Sequence, residues 1–105
     1  MGEKFYVYIL LTERNTLYCG YTDDVEKRFN EHKNGKGAKY TRANKPVRIV
    51  YTKEFSTKSE AQKEEYRIKH KLTREEKLKL ISNNWQKPSL YREGFYQLSL
   101  FSYFK

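Results

Sequence analysis

Glu65 is a carboxylate in an apolar stripe. Its segment places Ala61, Ile68 and Leu72 at helical spacing, and at about 100° per residue Glu65 falls about 40° from Ala61. A carboxylate facing a core costs several kcal/mol unless it is paired or holds a metal. Two accounts therefore stand, a buried ion pair with an Arg or Lys, or a metal ligand, while Lys63, Glu64 and Lys69 beside it can turn to water. Upstream, Val25, Phe29 and His32 share a helical face, and Arg28 lies at its edge one turn before His32. A histidine so placed is commonly structural, but here a fixed cation stands beside a group that can gain or lose a proton. Tyr6 and Tyr8 alternate onto one side of an extended segment, and Tyr18 and Gly20 onto one side of the next. Tyrosine suits strands as packing, yet buried phenols need partners, and several phenols around a glycine suit a polar pocket. Hydrolysis of a phosphodiester uses such a set: a metal to neutralise the phosphate, a base for water, and a cation for the pentacovalent state. A single carboxylate with waters suits one Mg²⁺, which keeps much of its hydration shell.

The elements that must position these groups can be read in order. Residues 5–11 (FYVYILL) are β-branched and aromatic and read as a buried strand. Thr12 to Thr16 is turn material, and Leu17 to Thr22 reads as a second strand closing a hairpin. Gly20 inside it predicts either a bulge or a close backbone approach. Asp23 with Glu26 has capping-box spacing and predicts a helix, ended by Asn34-Gly35. Residues 38–46 are basic and read as a loop or short helix, limited by Pro46. Val47 to Phe55 reads as a third strand. Thr57 with Glu60 opens a helix to about Leu72, and Thr73 with Glu76 opens another to about Asn83. This order predicts a small antiparallel sheet with helices packed on it, an α+β fold.

The 105 residues suit one domain, expected over residues 1–83, followed by an aromatic-rich tail at 84–105. The tail holds Trp85, Tyr91, Phe95, Tyr96, Phe101, Tyr103 and Phe104. It is expected to pack back on the domain or to offer a patch to a protein partner. The net charge is +9, and residues 27–53 alone carry nine Lys or Arg against Glu31, so that segment holds +8. Such a clustered field favours a polyanion, DNA with RNA not excluded, and Lys36, Lys39, Tyr40, Arg42, Lys45 and Arg48 are the expected nucleic-acid contacts. The lone Cys19 permits no internal disulfide and no Cys-based zinc site. The apolar run at 5–11 is too short for a signal core or a membrane span, so a cytoplasmic protein is expected, without membrane partners and monomeric.

At these residues the chain resembles the GIY-YIG nucleases. Tyr6-Val7-Tyr8 stands at the first tripeptide of that motif and Tyr18-Cys19-Gly20 at the second, followed by Arg28, His32, Lys39-Tyr40-Thr41-Arg42, Pro46, Ala61 and Glu65 before Ile68-Lys69. The match runs over about residues 5–81. It looks most like small stand-alone bacterial members and is similar to the N-terminal catalytic domain of the excision-repair nuclease UvrC. The resemblance implies a three-stranded antiparallel sheet flanked by helices, in the order β-β-α-β-α-α. It implies that Glu65 holds a single Mg²⁺ or Mn²⁺, that Arg28 stabilises charge on the phosphate, and that Tyr18 acts on water with Tyr8 in support. His32 shares the base role as an alternative, and Gly20 lets the backbone come close. The implied activity is DNA cleavage, structure-directed or non-specific, in repair or recombination. Two other readings remain beside it, a nucleic-acid-binding module without catalysis and an accessory protein recruited through residues 84–105.

Overall fold

The computed structural model describes residues 4–83; the aromatic tail expected at 84–105 lies outside the described residues. The chain forms strands β1 (Phe5–Thr12) and β2 (Leu17–Thr22), helices α1 (Val25–Lys33) and α2 (Lys39–Ala43), strand β3 (Pro46–Phe55), and helices α3 (Lys58–Lys71) and α4 (Arg74–Asn83). The sheet order is β2-β1-β3, with both pairings antiparallel. The α+β class and the order β-β-α-β-α-α are those read from the sequence, with α2 added between α1 and β3: of the two readings for residues 38–46, the short helix is the one found.

β1 is central, which explains its near-continuous apolar run: Val7, Tyr8, Ile9, Leu10 and Leu11 are all buried, because a central strand with helices on both faces shows water neither side. Val7, Ile9 and Leu11 join Cys19, Val50, Tyr51, Ala61, Ile68 and Ile81 in the core beneath α3 and α4. Each Val, Ile and Leu side chain among them contributes about 1.5–3 kcal/mol by leaving water. Tyr8 turns to the opposite face, where α1 brings His32 to it. The sheet is thus the middle of three layers, and the alternation of β1 divides core from site.

The caps show why the helices begin where they do. Thr57 accepts from the Glu60 backbone N–H at the start of α3. Thr73 and Glu76 exchange side chain and backbone in a reciprocal box at 3.1 and 2.8 Å. At α1 the expected cap shifts by one residue. Asp24, with extended backbone, accepts from Lys27 N–H, and Thr22 Oγ1 accepts from Asp24 N–H, so the turn is held one position later than Asp23 predicts. Asn34 closes α1 and Gly35 follows at φ +78°, as its sequence suggests.

At two further positions the structure departs from the sequence or settles it. β3 begins at Pro46, which pairs with Thr12 on an edge strand, where a missing N–H is tolerated. The register of β1 against β2 runs without interruption, so Gly20 marks a close approach and not a bulge. Two irregularities lie instead between β1 and β3: the partner of Ile9 is Tyr51 and that of Leu10 is Ile49, then the partner of Leu11 is Arg48 and that of Thr12 is Pro46. Val50 is the extra residue at the first and Val47 at the second, and Val50 joins Tyr51 in the core.

Candidate active site

The hairpin and the first helix build the centre of the site. Tyr8 lies opposite Gly20 in the β1–β2 register. A Cβ at Gly20 would come within 2.5 Å of the Tyr8 hydroxyl oxygen, so only a glycine lets the ring lie across β2. The Tyr8 hydroxyl reaches His32 Nε2 at 2.9 Å, and His32 Nδ1 reaches Thr41 Oγ1 at 2.6 Å. Tyr8 is 2% exposed, and His32 and Thr41 are wholly buried. Burial pushes the Tyr8 phenol well above its usual value, with Tyr18 adding to the effect and Arg28 opposing it. Burial also lowers His32, and the neighbouring Arg28 charge lowers it further. Both shifts hold the pair neutral. Both ring nitrogens of His32 are engaged, and the residue has no exposed surface.

Tyr18 is half-buried on the edge strand β2 and gathers the other aromatic groups. Its ring lies 5.2 Å from His32 and 6.4 Å from Tyr8 by centroid, and Tyr40 stacks near-parallel to it at 5.9 Å and 17°. Tyr40 is held there by donating to Thr16 Oγ1 at 2.7 Å, in the polar turn between β1 and β2. Arg28, one turn before His32, donates to Glu31 Oε1 at 2.9 Å. Glu31 first, and the Tyr8 hydroxyl after it, keep the guanidinium firmly protonated. About a third of its side chain is exposed, 34%, so it can still meet a ligand.

Glu65 joins this cluster from α3. Its Oε2 lies 3.2 Å from Lys69 Nζ, in an i,i+4 pair, and the same ammonium lies 5.4 Å from the centre of the Tyr18 ring. Of the two accounts offered for this carboxylate, the ion pair is the one seen, and its partner rests over the Tyr18 ring. It is not a core charge, since its side chain is 20% exposed. Ala61 and Ile68 take the core positions, while the Glu65 side of α3 runs along the sheet edge at β2. Lys69 therefore does not simply turn to water as its sequence suggests. Glu64 is more covered than Glu65, at 16%, and pairs with Arg67.

The remaining candidate residues separate. Tyr6 lines a shallow surface depression with Asp23, Asp24, Val25, Glu26 and Thr52, away from the phenol cluster. Lys36, Lys39, Arg42 and Lys45 are exposed around α2, beside Tyr40. Arg48 is half-buried and shares the register position of Leu11, on the α3 side of the sheet, so it is not brought to the α2 surface. Two residues absent from the expected set belong to it. Thr41 holds His32, and Glu31 holds Arg28; the second had a signal in sequence, being the only acid in the basic segment and three residues from Arg28. Among the described residues no three His, Cys, Asp or Glu side chains gather as a metal cluster. The half-buried Glu65 carboxylate is a hard oxygen donor and fits a single, largely hydrated divalent ion.

A sequence model of the GIY-YIG catalytic domain matches residues 4–79. The chain belongs to the GIY-YIG family. It is 56% identical over 81 residues to a UPF0213 protein of Oceanobacillus iheyensis, covering 77% of this chain and 93% of that one. A UPF0213 protein of Staphylococcus saprophyticus is 52% identical over 80 residues, 76% of this chain and 96% of that one. The solution NMR structure of a UPF0213 protein from Bacillus halodurans superposes with a TM-score of 0.52 at 44% identity, covering 87% of this chain and 93% of that one. In this GIY-YIG domain the two tripeptides lie on neighbouring strands and divide their work. Val7 and Cys19 point into the core, while Tyr8, Tyr18 and Gly20 face the site.

Proposed function

We propose that this protein is a metal-dependent endonuclease that hydrolyses DNA phosphodiester bonds, with structure-directed or non-specific choice of site. The observation that carries the reading is the convergence on Tyr18. His32 and Tyr8 pack against its ring, Arg28 acts electrostatically on Tyr8, and Lys69, paired with Glu65, reaches it from another element. Glu65 would hold Mg²⁺ or Mn²⁺, and the bound ion would supply charge neutralisation at the phosphate and a more acidic water. Tyr18 orients the attacking water or takes its proton. Arg28, exposed on one side, offsets charge accumulating on the phosphate oxygens. Lys36, Lys39, Arg42 and Lys45 draw in the backbone, and Tyr40 offers a ring beside them.

One observation favours a second reading, a binding module without turnover: Lys69 already neutralises Glu65. The two are separated by incubating plasmid, branched and single-stranded DNA and RNA with and without Mg²⁺ or Mn²⁺. The nuclease reading expects metal-dependent cleavage that falls by on the order of 10²–10³-fold in Glu65→Ala and in Arg28→Ala, with the fold intact. Cleavage unaltered in both variants removes these roles, and salt-sensitive binding without any cleavage leaves the second reading.

A further inference from the structure

Three short hydrogen bonds behind Tyr8 determine which way each proton points. Thr41 Oγ1 lies 2.9 Å from the Ala38 carbonyl oxygen, which can only accept. The single hydroxyl hydrogen of Thr41 is therefore spent on Ala38, and its oxygen meets His32 Nδ1 at 2.6 Å with lone pairs. That contact is favourable only if Nδ1 carries the hydrogen. A neutral imidazole then has Nε2 bare, and at 2.9 Å from the Tyr8 hydroxyl it must be the acceptor. Gly37 closes the other approach: a Cβ there would overlap His32 Nδ1, so the backbone lies against the ring. Arg28, which only donates, is near enough for its charge and the Tyr8 hydroxyl to act on one another.

Resting on the nuclease reading, we propose that Thr41 is a positioning residue that locks His32 in the Nδ1–H tautomer. This commits the Tyr8 hydrogen to Nε2 and turns the Tyr8 oxygen's lone pairs toward Arg28. The opposite tautomer would send Nε2–H toward the Tyr8 oxygen and force the phenol hydrogen round against the guanidinium. The lock thus aligns the phenol and the cation before a substrate arrives, at a point no substrate touches. It also gives a reason for a wholly buried threonine in a five-residue helix of otherwise exposed cationic character.

The test uses the full chain and two readouts. Long-range ¹H–¹⁵N spectra of the histidine side chains report the His32 tautomer near pH 7.5, and cleavage of a DNA substrate with Mn²⁺ reports rate and KM. Wild type is expected to show a protonated Nδ1 and a bare Nε2. Thr41→Val keeps the shape and removes the acceptor, so the share of the Nε2–H form should rise measurably and kcat should fall by about tenfold or more with KM little changed. Thr41→Ser restores the acceptor and should recover the wild-type tautomer and most of the rate. A bare Nδ1 in wild type overturns the proposal, as does a Thr41→Val protein that keeps the wild-type share of Nδ1–H, or one whose tautomer changes without loss of rate. If Thr41→Val does not fold, the wild-type and Thr41→Ser spectra still decide. A wild-type protein that cleaves nothing overturns the nuclease reading alone, since the tautomer is read without turnover.

Discussion

Gly20 and Tyr8 show how much a single methyl group can decide at this site. The Tyr8 ring lies across the glycine because nothing projects from it, and the phenol cannot swing aside while His32 holds its hydroxyl. Gly20→Ala is therefore expected to destabilise the fold by about 1–3 kcal/mol, the cost of forcing an overpacked side chain off its place. Chemical denaturation measures it, and a Tyr8→Phe background separates strain on the hydroxyl from strain on the ring. If Gly20→Ala is as stable as wild type, the close approach is not what keeps a glycine there. Glu65 teaches the complementary lesson. Its stripe position marked it as unusual, and its ion pair with Lys69 explains how a half-buried carboxylate is tolerated without a metal.

Among the elements, α3 has the plainest role, carrying Glu65 and Lys69 to the sheet edge while Ala61 and Ile68 anchor it to the core. Its cap is a single side chain, Thr57 Oγ1 accepting from Glu60 N–H. Thr57→Ala is expected to cost about 1 kcal/mol of stability. Because the cap lies two turns from Glu65, cleavage per folded molecule should not change; a comparison of denaturation midpoint with specific activity tests both halves. A large loss of specific activity at unchanged stability would mean that the α3 start contributes to the site directly. α1 is capped by Asp24 in the same manner, and it holds Arg28 and His32 one turn apart. Its capping and closing residues were legible in sequence, to within one position at the start.

At the scale of the whole molecule, charge and fold are arranged around one another. Lys36, Lys39, Arg42 and Lys45 are exposed on the loop and α2, a cationic surface suited to the polyanion that the proposed function calls for. If these four contact phosphates, DNA affinity should fall with salt with a log–log slope of roughly −3 to −4. Replacing Lys39 and Arg42 by alanine should lower the slope by roughly 2 units, whereas Arg48→Ala, on the other side of the sheet, should leave it unchanged. Fluorescence anisotropy across a salt series gives both slopes. Equal effects from all three substitutions would place the nucleic acid elsewhere. Among the described residues no helix is long and apolar enough to cross a membrane.

By itself the chain determined its strands, its helices and most of its caps, because those depend on side-chain period and on residues a few positions apart. It also marked Tyr8, Tyr18, Arg28, His32 and Glu65, since a polar group on an apolar face stands out locally and the spacing matches a known motif. What it left open required distances between remote segments. Only the tertiary structure decided that Gly20 is a close approach and not a bulge, that Val50 and Val47 are the extra residues of β3, and that Arg48 shares the register position of Leu11 on the α3 side. The same holds for the partners: Lys69 for Glu65 over Tyr18, and Thr41 for His32. A hydrogen bond depends on angles and on tenths of an ångström, and those emerge only after the sheet has brought its neighbours together.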